Sequence, residues 1–209
     1  MTTAQLRRSI HKEIQAAGYQ LSGGGSSPAE MQSLTDTARK FDAKLIAEIG
    51  LNTGLSAHAF LNAGSDVYVI SFDLGKHTYI KKVKEIIDTT YGYSRHALIL
   101  GDSRLTIPAY AHDNQMVKFD LVFIDGGHAY NIAIADIMNM RRLSRPGTIV
   151  IVDDLCPWKD WGRGPTKAWE EAIDRGVIEP LELYQDGVLV DRAEPPGVRV
   201  WGVGRYVGR

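Results

Sequence analysis

The chain has one cysteine, Cys156, so no disulfide can form within it. A lone thiol fits a reducing cytoplasm. No apolar run approaches the roughly 20 residues of a membrane-spanning helix. The opening stretch, MTTAQLRRSIHKEIQ, is too polar for a secretory signal. Charge of either sign is also missing in excess. Lys and Arg number 24 against 25 Asp and Glu, a formal net charge of -1. That gives no general pull toward nucleic acid or an anionic membrane, although it leaves room for a local basic patch. There is no internal repeat, and no linker divides the chain. What is present is 209 residues, 44% hydrophobic and 23% charged, enough for one domain with its own core.

Residues 3–18 predict an amphipathic helix with Leu6, Ile10, Ile14 and Ala17 on one stripe. Residues 22–28, SGGGSSP, read as a loop. Ser27, Pro28 and Glu30 then form a helix start, as cap, first residue and capping-box partner. Met31, Leu34, Ala38 and Phe41 follow at helical spacing. Packing onto the core accounts for both stripes; the alternatives are a cap over the active site or a homodimer contact. From residue 44 short apolar strands alternate with helices. The strands are KLIAEIG, VYVISFD, HALILGD, DLVFID and GTIVIVDD. This rhythm predicts a parallel sheet between two helical layers, a Rossmann-like three-layer α/β sandwich. In the tail, LELYQDG and VRVWGVGRYV have no helix between them and read as an antiparallel pair at the sheet edge. The expected organisation is a single domain over 1–209. An N-terminal helix and Gly/Ser loop fill 1–26, and the core fills 27–209.

Ligands of an open parallel sheet bind beyond the carboxyl ends of its strands. Acids gather there: Glu48, Asp73, Asp102, Asp125, and the pair Asp153 and Asp154. One such acid is an ordinary cap or turn residue. Five strand ends in succession point to a ligand. The first turn, EIGLNTGLS, spaces Gly50 and Gly54 around Asn52, so the backbone can approach a ligand closely before Ser56 starts a helix. It is not the Gly-x-Gly-x-x-Gly of dinucleotide binders, nor a phosphate loop with Gly-Lys-Ser/Thr.

EIGLNTGLS, SFD, GDS, FIDGGHAY and IVDD, in that order, resemble the class I S-adenosylmethionine-dependent methyltransferases. Within them the chain is similar to the metal-dependent small-molecule O-methyltransferases of the catechol, caffeoyl-coenzyme-A, cephalosporin and macrolide-sugar types. The resemblance covers roughly residues 27–175. It implies a seven-stranded, mostly parallel sheet with an antiparallel C-terminal strand. It places Glu48, Gly50, Asn52 and Gly54 in the cofactor turn. It sets Ser56 at the amino-acid end of S-adenosylmethionine, Asp73 at the ribose, and Asp102 with Ser103 at the adenine, with Asp125 bordering the same cofactor.

The resemblance also implies that Asp125, Asp153 and Asp154 bind one divalent cation. Three crowded carboxylates repel one another, and a hard cation such as Mg²⁺ resolves that. Catechol-type enzymes carry Asn where Asp154 stands. In them the cation chelates substrate oxygens and lowers the pKa of the hydroxyl to be methylated. Their lysine base lies three residues after the strand-four acid, and His128 occupies that place here. His128 is thus the candidate base, with metal ligation, substrate orientation or a plain loop histidine as alternatives. Trp158 and Trp161, on the loop after the acid pair, are candidates for a substrate wall or lid. Asp136 reads as a structural acceptor. Cys156 lacks a nearby histidine and is no nucleophile. The basic run RRLSRPG reads as a solvated turn.

The expected function is methyl transfer to a hydroxyl of a small molecule such as a catechol, vicinal diol or sugar. Neither nucleic acid nor membrane is expected as a partner. A same-fold enzyme acting on an RNA base hydroxyl would want a basic rim. A non-catalytic adenosyl-ligand-binding protein would have no use for all three metal acids. A nicotinamide oxidoreductase is disfavoured by the glycine spacing.

Overall fold

The computed structural model describes residues 2–21 and 25–208. The first part of the Gly/Ser loop, 22–24, lies outside them. The chain divides into two compact units, Met1–Gly101 and Asp102–Arg209. The boundary falls inside the stretch read as one continuous core.

The first unit contains α1 (Thr3–Ala16), α2 (Pro28–Lys40), β1 (Leu45–Ile49), α3 (Leu55–Leu61), β2 (Tyr68–Asp73), α4 (Ile80–Tyr91) and β3 (His96–Leu100). A capping box starts α1, in which Thr2 accepts from the Gln5 amide and Gln5 reaches back to Thr2. The predicted box of Ser27 and Glu30, with Pro28 at the first position, starts α2. Leu6, Ile10 and Ile14 are buried, and α1 packs on α2 and α4. The chain itself therefore covers these three positions of the stripe, whereas Ala17 is the exposed C-cap beyond the helix. The strands run in the order β3-β2-β1, all parallel, with Ala47 opposite Ile70 and Ile70 opposite Ala97.

The second unit contains α5 (Ser103–Asp113), β4 (Leu121–Ile124), α6 (Tyr130–Met140), β5 (Ile149–Val152), α7 (Arg163–Asp174), β6 (Ile178–Gln185), β7 (Val188–Leu189) and β8 (Val200–Tyr206). A 3-10 turn, Arg141–Leu143, continues α6. The order is β4-β5-β8-β6-β7. β4 and β5 are parallel, and every residue of both is buried. Burying an Ile, Val or Leu side chain is worth about 1.5–3 kcal/mol, so these two runs anchor the unit. β8 then inserts antiparallel between β5 and β6.

The fold is the Rossmann-like α/β class with mostly parallel strands and an antiparallel last strand. It has eight strands rather than the seven expected. The extra one is β7, which pairs with β6 across Asp186 and Gly187. Both turn residues have positive φ, 52° and 90°. That is the Asp-Gly geometry that closes a two-residue hairpin.

Candidate active site

In the first unit the β1–α3 turn has an uncommon backbone. Gly50 and Gly54 lie at φ 95° and 76°, and Asn52 joins them at φ 44°. A side chain at Gly54 would also strike Val83, 2.6 Å from the ideal Cβ. Asp73 holds this turn in place. One of its oxygens accepts from the Leu51 and Asn52 amides at 2.9 and 3.2 Å, the other from the Gly75 amide at 2.7 Å. Oδ1, with one bond, keeps a further lone pair, so Asp73 can still accept from a hydroxyl. Tyr79, absent from the sequence reading, donates its hydroxyl to Asn52 Oδ1 at 2.7 Å and stacks on His77.

Glu48 and Ser56 sit deeper than the sequence implied. Glu48 is fully buried. Ser56 donates to its Oε2 at 2.7 Å, and Ser71 donates to its Oε1. The Ser71 hydroxyl also meets His96 Nε2 at 2.6 Å. Because Ser71 has one proton and gives it to Glu48, Nε2 is the donor to Ser71 when Glu48 is ionised. The group is thus an internal polar network beneath the turn. Burial pushes the Glu48 carboxyl up to about 7, against the two serine hydrogen bonds that pull it down. His58 and His96 are driven down to about 3, chiefly by burial, and are neutral.

A pH dependence follows. Since the folded pKa of Glu48 lies above its unfolded value near 4.5, its stabilising effect is complete below pH 4.5. It is lost as pH rises through about 7. The full amplitude is on the order of 3 kcal/mol. The buried histidines act in the opposite sense below pH 6.5, so Glu48 is isolated as the difference between wild type and Glu48→Gln. In urea unfolding from pH 5 to 8 the variant is expected to show a distinctly weaker decline. Parallel curves would remove Glu48 as the titrating group.

In the second unit Asp102 caps α5, accepting from the Arg104 amide at 2.9 Å. The Arg104 guanidinium forks onto the same carboxylate, the main reason its pKa is held near 2. Ser103 is the first residue of that helix. Asp136 is fully buried on α6, and that burial raises its carboxyl to about 6.

The acids after β4 and β5 meet a histidine. Asp125, His128 and Asp154 each offer a ligand atom, and these atoms all lie within 4.8 Å of one another. His128 Nε2 is 2.9 Å from Asp154 Oδ2. That contact raises the His128 pKa above 6.5, with burial opposing. Asp154 has φ 62°, in the left-handed region. Asp enters that region more readily than most residues, and the cost is accepted where a site needs the side chain redirected. Asp153 is nearly buried and continues the sheet, its amide donating to the Ile124 carbonyl at 3.0 Å. It lines the same small cavity as Asp125, His128 and Asp154, about 10 Å³ in volume. That is room for one ion or one water.

Two glycines outside the sequence reading shape this rim. A Cβ on Gly164 would lie 2.1 Å from the His128 carbonyl oxygen, and one on Gly162 would lie 2.2 Å from that of Cys156 and 2.8 Å from that of Asp154. The start of α7 is thus pressed against both acid-bearing loops, at a distance only glycine allows. Trp158 is fixed by its indole N–H to the Gly197 carbonyl at 2.8 Å. Trp161 is 42% exposed, with Lys159 over its ring, and is the freer of the two. Cys156 is buried and its thiol is pushed up to about 11, as expected of an inert cysteine.

Comparison with known proteins agrees with this layout. No curated protein matches the chain. The O-methyltransferase TomG from Streptomyces achromogenes, involved in tomaymycin synthesis and solved with S-adenosylmethionine, is 19% identical. It superposes with a TM-score of 0.74 over 100% of this chain and 91% of its own. An O-methyltransferase from Bacillus cereus, in complex with S-adenosylhomocysteine, is 18% identical at a TM-score of 0.71, covering 95% and 89%. CalS11, the TDP-rhamnose 3′-O-methyltransferase of calicheamicin biosynthesis, is 18% identical at 0.60, covering 96% and 92%. At these identities the likeness is one of fold. The family profile described as a methyltransferase domain matches residues 47–155, from the first strand through both acid-bearing loops. With more than half of its length so matched, the chain belongs to the methyltransferase-domain family.

Proposed function

We propose that the protein is an S-adenosylmethionine-dependent, divalent-metal-dependent O-methyltransferase acting on a small molecule with a hydroxyl beside a second oxygen. The observation that carries this reading is the convergence of Asp125, His128 and Asp154 around an ion-sized space. Carboxylates are the oxygen donors that a hard cation such as Mg²⁺ or Mn²⁺ takes. Asp125 and Asp154 would hold the cation, with Asp153 and His128 at the same cavity.

When bound, the cation supplies Lewis acidity toward a substrate oxygen, and S-adenosylmethionine supplies the methyl group. The chain's own residues do the rest. The Gly50–Gly54 turn brings backbone close to the cofactor, and Asp73 offers acceptor oxygens to its ribose. His128, half exposed at the rim, takes up the hydroxyl proton. Trp161 presents a flat apolar face for a ring-shaped substrate. The similarity of fold to CalS11, named for a sugar 3′-hydroxyl, supports including sugars among the acceptors. Buried, unbridged Cys156 fits a cytoplasmic setting.

Calorimetry with S-adenosylmethionine, with and without Mg²⁺ or Mn²⁺, should show cofactor binding and a separate saturable metal event. A screen of catechols, vicinal diols and nucleotide-linked sugars should then give methyl transfer that stops when the metal is chelated. Full activity in excess chelator would refute the metal requirement.

A further inference from the structure

The basic run before β5 is exposed at Arg142, Arg145 and Pro146, as a solvated turn would be, and it also borders a pocket. Arg141, Arg142 and Arg145 join Lys118, from the approach to β4, around a pocket of about 360 Å³. Pro146 and Tyr206 form part of its wall. The pocket lies at the N-terminal ends of β4 and β5, whereas Asp125 and Asp154 follow their C-terminal ends. Four strand residues separate the two, roughly 13 Å.

Its charges are largely uncompensated. Lys118 donates to the Arg142 carbonyl at 2.6 Å, and Arg141 donates to the Val207 and Gly208 carbonyls at 3.4 and 3.2 Å. Such bonds fix the cations without neutralising them. Among the described residues, Arg145 alone of the four faces a carboxylate, that of Asp120. The Arg142 guanidinium is exposed and has no partner among the described residues. Among the described residues, three net positive charges therefore surround one pocket in a chain whose total is -1.

The structure assigns to this pocket a second binding site, for a phosphorylated small molecule. Planar guanidinium forks match the oxygens of a phosphate. The volume exceeds what a bare phosphate needs and sits at the lower end of small-molecule sites, so a phosphate carrying a compact organic group fits. Exposed Pro146 provides the apolar contact. At this distance from the acid rim the ligand is an effector or anchor, not the methyl acceptor.

The test uses the full chain in excess chelator, so that no phosphate is held through a cation at the rim. Inorganic pyrophosphate and ribose 5-phosphate serve as probes because neither carries an adenine. Both should bind saturably in calorimetry, ribose 5-phosphate the more tightly. Arg142→Glu, at an exposed position that the fold does not use, should weaken both at least tenfold, and Lys118→Gln should weaken them in the same direction. Asp154→Asn should leave binding within about twofold. No saturable binding at millimolar probe, or affinity unchanged in Arg142→Glu, overturns the assignment. So does a single-stranded oligonucleotide that binds with steep salt dependence while ribose 5-phosphate does not.

Discussion

Asp154→Ala is expected to lower methyl transfer by about 10³-fold or more, because several kcal/mol of charge stabilisation is lost with the cation's ligand. The substitution acts twice. It removes one of the three converging ligand groups and leaves His128 without the carboxylate 2.9 Å away. It also puts alanine at φ 62°, where a Cβ without a polar arm is disfavoured by about 1–2 kcal/mol. Asp154→Asn separates the two effects. Asparagine tolerates the left-handed backbone and keeps one oxygen donor, as in the catechol type. It should therefore melt within a few degrees of wild type and retain activity within about tenfold at saturating Mn²⁺. The metal dissociation constant, followed by Mn²⁺ electron paramagnetic resonance, should rise sharply in Asp154→Ala. S-Adenosylmethionine affinity should move only a few-fold. If Asp154→Ala bound Mn²⁺ as wild type does, the assignment of Asp154 as a ligand would be wrong.

The sequence made the acid rim legible because strand ends are legible. Runs such as LVFI and IVIV can only be buried strands, and the residues after them fall at the edge where ligands bind. Asp125 and Asp154 were found in that way, and His128 through the family resemblance. Burial depth was not legible. Glu48 lies one residue before the end of β1, and alternation alone does not say whether a side chain at that point faces a ligand or Ser71. Nor was close approach. Gly162 and Gly164 were not singled out, and only the packed structure brings the His128 and Cys156 carbonyls against them. The basic pocket escaped for the same reason, since Lys118, Arg141 and Tyr206 are far apart in the chain. The Asp-Gly hairpin behind β7 was written plainly at 186–187, and its turn signal went unused.

His128→Ala should cost about 10²–10⁴-fold in kcat if the imidazole takes the substrate proton. The pH profile carries the sharper distinction. Asp154 raises the His128 pKa above 6.5, so in metal-free protein the imidazole stays protonated to higher pH than a free histidine. A base must be neutral, so kcat should climb with pH as the imidazole loses its proton in wild type, and the acid limb should vanish in His128→Ala. The sign for stability is the reverse. The His128–Asp154 contact contributes fully below pH 6.5 and fades as pH rises through the raised folded value. Because the side chains are 48% and 19% exposed, that contribution is within the range of a solvent-screened pair, about 1 kcal/mol or less. A ligand role leaves a different trace: excess Mn²⁺ would restore His128→Ala activity, whereas a missing base is not replaced by metal. A loss below tenfold with an unchanged acid limb would leave His128 only the positioning of substrate, and the proton would then have to leave through solvent at the open side of the rim.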